Sequence, residues 1–344
     1  MHSLRVVSLV PSATEILCRI GGGELLVGRS HGCDFPPDLV RSVPIVTAPR
    51  ITFESAGQVD QGRALQGQES QWTGRPARFP CVRHARAGRP AHWYQLDGPL
   101  LSRLRPDVIL TQDLCGECLI DLTTVRRLAD SMRPRPAVVS LHPRSVEDVL
   151  DDVLRVGEAV GLAQSAERSV VEMRQRLFDA AEYVAGFATA PSVAFLEWTD
   201  PLYVAGHCTP QLIERAGGSH PLNATRAIEN SGAAAGPTGQ SQRLAGTSIR
   251  IDAESLVESA PELVIVGPCR LDLSRAVESA RGLMSRPWWG SLPAAERGRV
   301  LAVDGNQMFS RPGPRLVDAF EFLVSVLNDR PELWPAGFPA QWLR

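Results

Sequence analysis

The residues of this chain that can do chemistry cluster just after short β-branched runs: Pro11 to Glu15, His31 to Asp34, Gln112 to Cys118, Glu197 to His207, Pro268 to Arg270 and Asn306 to Arg311. Cys115-x-x-Cys118 has three readings. As a redox dithiol it needs an exposed thiolate at a helix N-terminus, which a strand-to-helix position supplies. As a zinc site it needs four ligands, which His31, Cys33, Cys115, Cys118 and His207 could provide together. As neither, its thiols simply line a reduced cleft. Glu15, Asp34, Asp113, Glu197 and Asp200 are carboxylates enough for acid/base work, yet the chain has no Gly-x-Ser-x-Gly and no His-Glu-x-x-His. Binding, not catalysis, is therefore the expectation.

The elements that must position these residues are stated twice. Arg5 to Gly22 is a β-branched run, a polar turn and a helical segment closed by glycines, and Ser192 to Trp198 followed by Thr209 to Gly218 repeats that grammar. Leu104 to Thr111 is echoed by Ser259 to Val266, each a helix end, a proline and a strand. Strands are expected at 5–10, 25–29, 108–111, 137–141, 193–197, 263–267 and 299–303. Helical stretches between them imply parallel sheets, an α/β class and two similar lobes. In such sheets ligands bind beyond the carboxyl ends of the strands, so a ligand between the lobes is the first functional expectation. Ser12 with Glu15 reads as a capping box.

Residues 145–185 read as a helical connector, with Val146, Val149, Leu150, Val153 and Val156 on one stripe and Gly161 interrupting it. The lobes then span 1–144 and 186–344. The first carries an insertion of roughly 41 residues at about 52–95, rich in Gln, Gly, Arg and Pro, and a second loose loop is expected at 223–247. A final helix is expected at 315–328, and Trp334, Phe338 and Trp342 are expected to seal the exterior of the second lobe.

Composition narrows the function. The 344 residues are 44% hydrophobic and 22% charged with a net charge of −2, which gives no reason to expect nucleic acid or an anionic membrane as partner. All 36 basic residues are arginine, which excludes a P-loop lysine, a pyridoxal Schiff base and a lysine general base. The N-terminal run is too short for a secretory leader, no stretch is long enough for a membrane span, and seven cysteines do not form a disulfide framework. A cytoplasmic monomer with reduced thiols is expected; a periplasmic location is the alternative if translation starts upstream.

Val6 to Glu15, Gly28 to Pro37, Arg105 to Cys115, Leu196 to Pro201, Ala205 to His207 and Phe309 to Arg315 together resemble the cobalamin-binding branch of the iron-siderophore and cobalamin substrate-binding proteins of ABC transporters. The resemblance implies two Rossmann-like lobes joined by a rigid helix, small lobe motion, and a cobalamin or other corrinoid held without covalent chemistry. The paired motifs at strand ends make Ser12, Thr14, His31, Asp34, Gln112, Asp113, Glu197, Trp198, Asp200, His207, Phe309 and Arg311 the expected ligand contacts, and the cysteine pattern makes Cys33, Cys115 and Cys118 metal-ligand candidates. His31 and His207 are candidates for axial contact to a corrinoid or heme metal, or equally for loop capping. Trp198, Tyr203 and Phe309 could wall a flat ligand, while the Trp288–Trp289 pair suits core packing. Arg311 and Arg315 could hold a ligand carboxylate, amide or phosphate. Docking carboxylates toward an ABC permease would fall near Asp97 and Glu254, and an aromatic is expected where Cys208 follows His207. Two alternatives stay open: a metal- or thiol-dependent enzyme built on the cysteines, and an exported transport component.

Overall fold

A computed structural model describes residues 3–49, 94–113, 120–186, 189–228 and 243–344. They form two compact units, one of residues 3–49, 94–113, 120–143 and 147–175, the other of residues 144–146, 176–186, 189–228 and 243–344.

The first unit is built on four parallel strands in the order β2-β1-β5-β6: β1 (Val6–Ser8), β2 (Leu26–Arg29), β5 (Val108–Gln112) and β6 (Ala137–Leu141). A short antiparallel pair, β3 (Thr47–Pro49) and β4 (Tyr94–Leu96), lies apart from that sheet. Val6, Val7, Ile109 and Leu110 are fully buried, so both sheet faces are covered, as parallel pairing with helical crossovers requires. Helix α1 (Pro11–Arg19) follows β1, and α2 (Pro37–Val40) follows β2. The expected capping box is absent. Val10 is the N-cap and makes no side-chain cap, Pro11 takes the first helical position, and Ser12 therefore falls inside the helix and is buried.

Helices α3 (Gly98–Leu104) and α4 (Leu122–Ser131) precede β5 and β6, capped by Asp97 and Asp121, whose carboxylates accept the N–H of Leu100 and Thr124 at 2.8 and 3.0 Å. The expected helical connector is two helices, α5 (Val146–Ala159) and α6 (Ala163–Ala181), divided at Gly161, whose φ of +73° suits glycine. The two helices approach closely at Gly157 and Ala166, where no side chain would fit on the glycine. Arg19 of α1 fastens α6 through Ser169 Oγ at 2.6 Å.

The second unit repeats the plan and extends it. Parallel strands β7 (Val193–Thr199), β12 (Leu263–Val266) and β13 (Val300–Val303) form its centre. Antiparallel strands flank them: β8 (Leu202–Val204), β11 (Ile249–Arg250) and β14 (Ala340–Leu343), in the order β11-β8-β7-β12-β13-β14. The sheet is thus mixed where an all-parallel one was expected. A further two-stranded pair, β9 (Arg226–Ala227) and β10 (Arg243–Leu244), occupies part of the expected 223–247 loop. Its helices are α7 (Cys208–Arg215), α8 (Ala253–Glu258), α9 (Leu273–Met284), α10 (Pro293–Glu296) and α11 (Leu316–Leu327). Arg176 of α6 pairs with Asp318 and Glu321 of α11 at 2.6 and 2.5 Å. Phe338 stacks on Phe322 at 4.3 Å and Trp334 meets the same ring edge-on, so two tail aromatics seal the unit; Trp342, on the edge strand β14, stays 41% exposed.

The duplication is repeated in backbone detail. Helix α1 stops at Gly21 (φ +87°) with Gly22 N–H donating to Leu17 O at 2.8 Å, and α7 stops at Gly217 (φ +92°) with Gly218 N–H donating to Ile213 O at 3.0 Å. Both are Schellman endings, which need a left-handed residue. Asp252 caps α8 and Asp272 caps α9 as Asp97 and Asp121 cap α3 and α4. The repeat therefore pairs Asp97 with Asp252, while Glu254 lies in the first turn of α8.

Two buried titratable groups have opposite consequences. Asp152 lies in the apolar stripe of α5 with its side chain 3% exposed, one oxygen on Arg155 at 2.9 Å and Oδ2 without a partner. Burial pushes its carboxyl up to about 7, with Arg155 opposing. Unfolded, the group ionises near pH 4, so stability is lost as pH rises from 4 through 7. Asp152→Asn is expected to stabilise the protein at pH 8 by roughly 3 kcal/mol and hardly at all at pH 4, read by denaturant unfolding; equal stability at pH 8 would contradict the burial. His220 is buried with Nε2 accepting Phe195 N–H at 3.3 Å, and burial pushes its imidazole down from 6.5 to about 4. Its contribution is full above pH 6.5 and lost as pH falls toward 4. His220→Gln is expected to flatten the acid limb of the stability profile, by on the order of 3 kcal/mol between pH 7 and 4; an unchanged acid limb would contradict a titrating His220.

Candidate functional site

In the first unit the carboxyl edge of the sheet separates into buried supports and exposed presenters. Arg29, the last residue of β2, gathers the following loop: Nε donates to Val40 O at 2.8 Å, and Nη1 donates to Cys33 O at 2.9 Å and Ser30 O at 3.3 Å. Thr14 and Cys33 are buried, with Thr14 Oγ1 donating to Cys33 Sγ at 2.9 Å, and Ser30 Oγ lies 3.2 Å from that sulfur. Cys33 thus braces the loop, and Ser12 and Thr14 support α1 from inside. Burial pushes the neighbouring Cys18 thiol up to about 11, away from thiolate reactivity.

His31 and Asp34 are exposed on this braced loop. The His31 backbone N–H donates to Thr47 Oγ1 at 3.0 Å, its Nδ1 is 2.7 Å from the same oxygen, and its ring lies 4.9 Å from that of Tyr94. Gln112 is buried at the end of β5. Asp113 beside it is exposed, donates its N–H to Leu141 O at 3.0 Å, and accepts His142 Nδ1 at its carbonyl at 2.9 Å. Thr47, Tyr94 and His142 escaped the sequence reading; a polar residue directly after the β6 run was the available signal for His142. Cys115 and Cys118 lie outside the described residues, as does most of the 52–95 insertion.

The second unit presents a different set, at the end of β7 and along the chain that returns through the antiparallel β8. Glu197 accepts a hydrogen bond from Ser248 Oγ. Trp198 is half-buried, and its buried indole N–H has no acceptor among the described residues. Asp200, in the β7–β8 turn, is 3.6 Å from Arg286, an exposed pair of small energetic weight. His207 caps α7 with φ +55°, a left-handed backbone held by its N–H donating to Gly246 O at 2.8 Å. Cys208 follows it, buried in the unit. Phe309, expected against a ligand, is 7% exposed and packs on Phe195 at 4.8 Å, with Phe322 and Phe338 at 6.3 and 6.4 Å; its position is one of core packing. Tyr203 and Trp289 are also buried, with Trp288 5.8 Å from Trp289.

Beyond β12 and β13 the loops carry charge held away from water. Asp304 accepts Asn306 N–H at 2.8 Å and Gln307 Nε2 at 2.9 Å; burial pushes its carboxyl up, and these bonds and Arg311 oppose the shift. Gln307 Oε1 accepts Arg315 Nη1 at 2.7 Å, so Arg315 is tied into the loop rather than extended into solvent. Arg311 is buried. Arg270 has a left-handed backbone, φ +71°, and burial pushes its guanidinium down to about 10. Among the described residues no group of three His, Cys, Asp or Glu could hold a metal ion, and no helix is long and apolar enough to cross a membrane. The arrangement offers imidazoles, amides, carboxylates and guanidinia on rigid strand ends, the equipment for recognising a polar-edged solute.

Comparison with known proteins agrees. A family model described as periplasmic binding protein matches residues 100–306, more than half of the chain. A vitamin B12-binding protein of Photorhabdus laumondii subsp. laumondii is 23% identical over 336 residues, covering 95% of this chain and 88% of that protein. A periplasmic heme-binding protein from Pseudomonas aeruginosa superposes with a TM-score of 0.63 at 20% identity, over 95% of this chain and 94% of that one. The periplasmic vitamin B12-binding protein of Vibrio cholerae superposes with a TM-score of 0.59 at 17% identity, over 95% and 98%. With its duplicated α/β plan and its recognition groups at the strand ends, the chain belongs to the periplasmic binding protein family and has the solute-binding, non-catalytic role of that family.

Proposed function

We propose that the solute is a corrinoid-like or related large metal chelate, recognised by loops that follow the strands. The observation that carries this reading is the exposed His31 on a loop braced by Arg29 and Cys33, an imidazole that can meet a metal or a polar ligand edge. Trp198, half-buried, supplies apolar area. Asp34, Gln112, Asp113, Glu197, Asp200, His207 and Arg311 supply polar contacts, and Ser12, Thr14 and Phe309 act from behind as packing. The names of the relatives, which bind vitamin B12 or heme, support a ligand of this size and class. Delivery of the solute to an ABC permease belongs to the same proposal.

Titration of the purified protein with aquocobalamin, dicyanocobinamide and hemin, followed by calorimetry and visible absorption, tests it. Micromolar or tighter binding of at least one is expected, weakened tenfold or more, about 1.4 kcal/mol, by Trp198→Ala or His31→Ala. The absence of any heat or spectral change with all three would overturn the reading.

A further inference from the structure

His142 stands directly after β6 and is exposed, and among the described residues its ring is held through one bond, Nδ1 to Asp113 O at 2.9 Å. A carbonyl oxygen only accepts, so Nδ1 is the nitrogen that carries the proton. In the neutral ring this leaves the lone pair on Nε2. The acceptor is itself tied to the sheet: Asp113 N–H donates to Leu141 O at 3.0 Å, and the preceding residues Gln112 and Leu141 are register partners in the parallel β5–β6 ladder. Two adjacent strand ends therefore fix both the tautomer and the direction of the Nδ1–H bond. Histidines that ligate metals are oriented in this way, with the second ring N–H given to a main-chain carbonyl or a carboxylate.

His31 and His220 differ. Thr47 Oγ1 can donate to or accept from His31 Nδ1, so that bond leaves the tautomer open. The Nε2 of His220 is occupied by Phe195 N–H inside the second unit.

We propose that His142 Nε2 is a ligand to the metal of the bound chelate, a role that rests on the solute-binding reading above. Its sequence position, one residue past the Ala137–Leu141 strand, places it on the same sheet edge as His31 and Asp113.

Two measurements on the full chain test this. In the ligand-free protein, long-range proton–nitrogen NMR of the ring is expected to show the Nδ1–H tautomer. On titration with hemin or aquocobalamin, His142→Gly is expected to lose the imidazole-type visible band and at least tenfold in affinity, and added imidazole is expected to restore the band. An Nε2–H tautomer, or a His142→Gly variant with the wild-type spectrum and affinity, would overturn the role of His142 and leave solute binding intact. Failure of the wild-type protein to bind either chelate would overturn both.

Discussion

Parallel strand pairing is the constraint on which the rest of this molecule depends. Val6 opposite Val108 in one unit and Val193 opposite Leu263 in the other fix strands that run the same way. Every crossover between parallel strands must then return through a helix, and every loop that follows one of these parallel strands opens at the same edge of its sheet. Chemistry-bearing residues are collected there by topology before any of them is chosen for a ligand. The two Schellman endings, at Gly21 and Gly217, serve the same constraint, because each helix must stop and turn before the chain can add its next strand. The paired aspartate caps at Asp97 and Asp252, and at Asp121 and Asp272, start the later helices in the same way.

What the sequence made legible follows from how strongly each element is determined locally. Val108–Gln112 and Ala137–Leu141 are β-branched runs bounded by proline, so they could be placed nearly to the residue. The antiparallel strands β8, β11 and β14 were not legible. They are two to four residues long, and their pairing is decided by the neighbour they reach rather than by a pattern of their own. Ser12 misled because Pro11 competes for the helix start and wins through its fixed φ. Phe309 misled for another reason: an aromatic after a strand carries the same sequence signal whether it faces a ligand or, as here, Phe195 and Phe322.

The site reads more clearly once solvation is considered. Thr14, Cys33, Gln112, Asp304 and Arg311 are polar and buried, and Thr14, Cys33 and Asp304 organise loops through their hydrogen bonds. His31, Asp34, Asp113 and His142 are polar and exposed. Sequence reasoning named members of both sets together, since residue type is common to them; it missed Asp304 in the first, and it missed His142 in the second because a single polar residue after a strand makes no motif. Holding Asp304 and Arg270 away from water costs stability, visible in the upward shift of one and the downward shift of the other. Such charges are oriented in advance of a ligand, which suits a protein that recognises a solute without transforming it.

The most direct measurement of the central claim is amide chemical-shift mapping of the protein saturated with the chelate that binds it. The account predicts that the large perturbations fall on the carboxyl-edge loops, at His31 to Asp34 and Asp113 in one unit and at Trp198, Asp200 and Arg311 in the other. Perturbations concentrated at the amino ends of the strands, or on the outer faces of the helices, would contradict it.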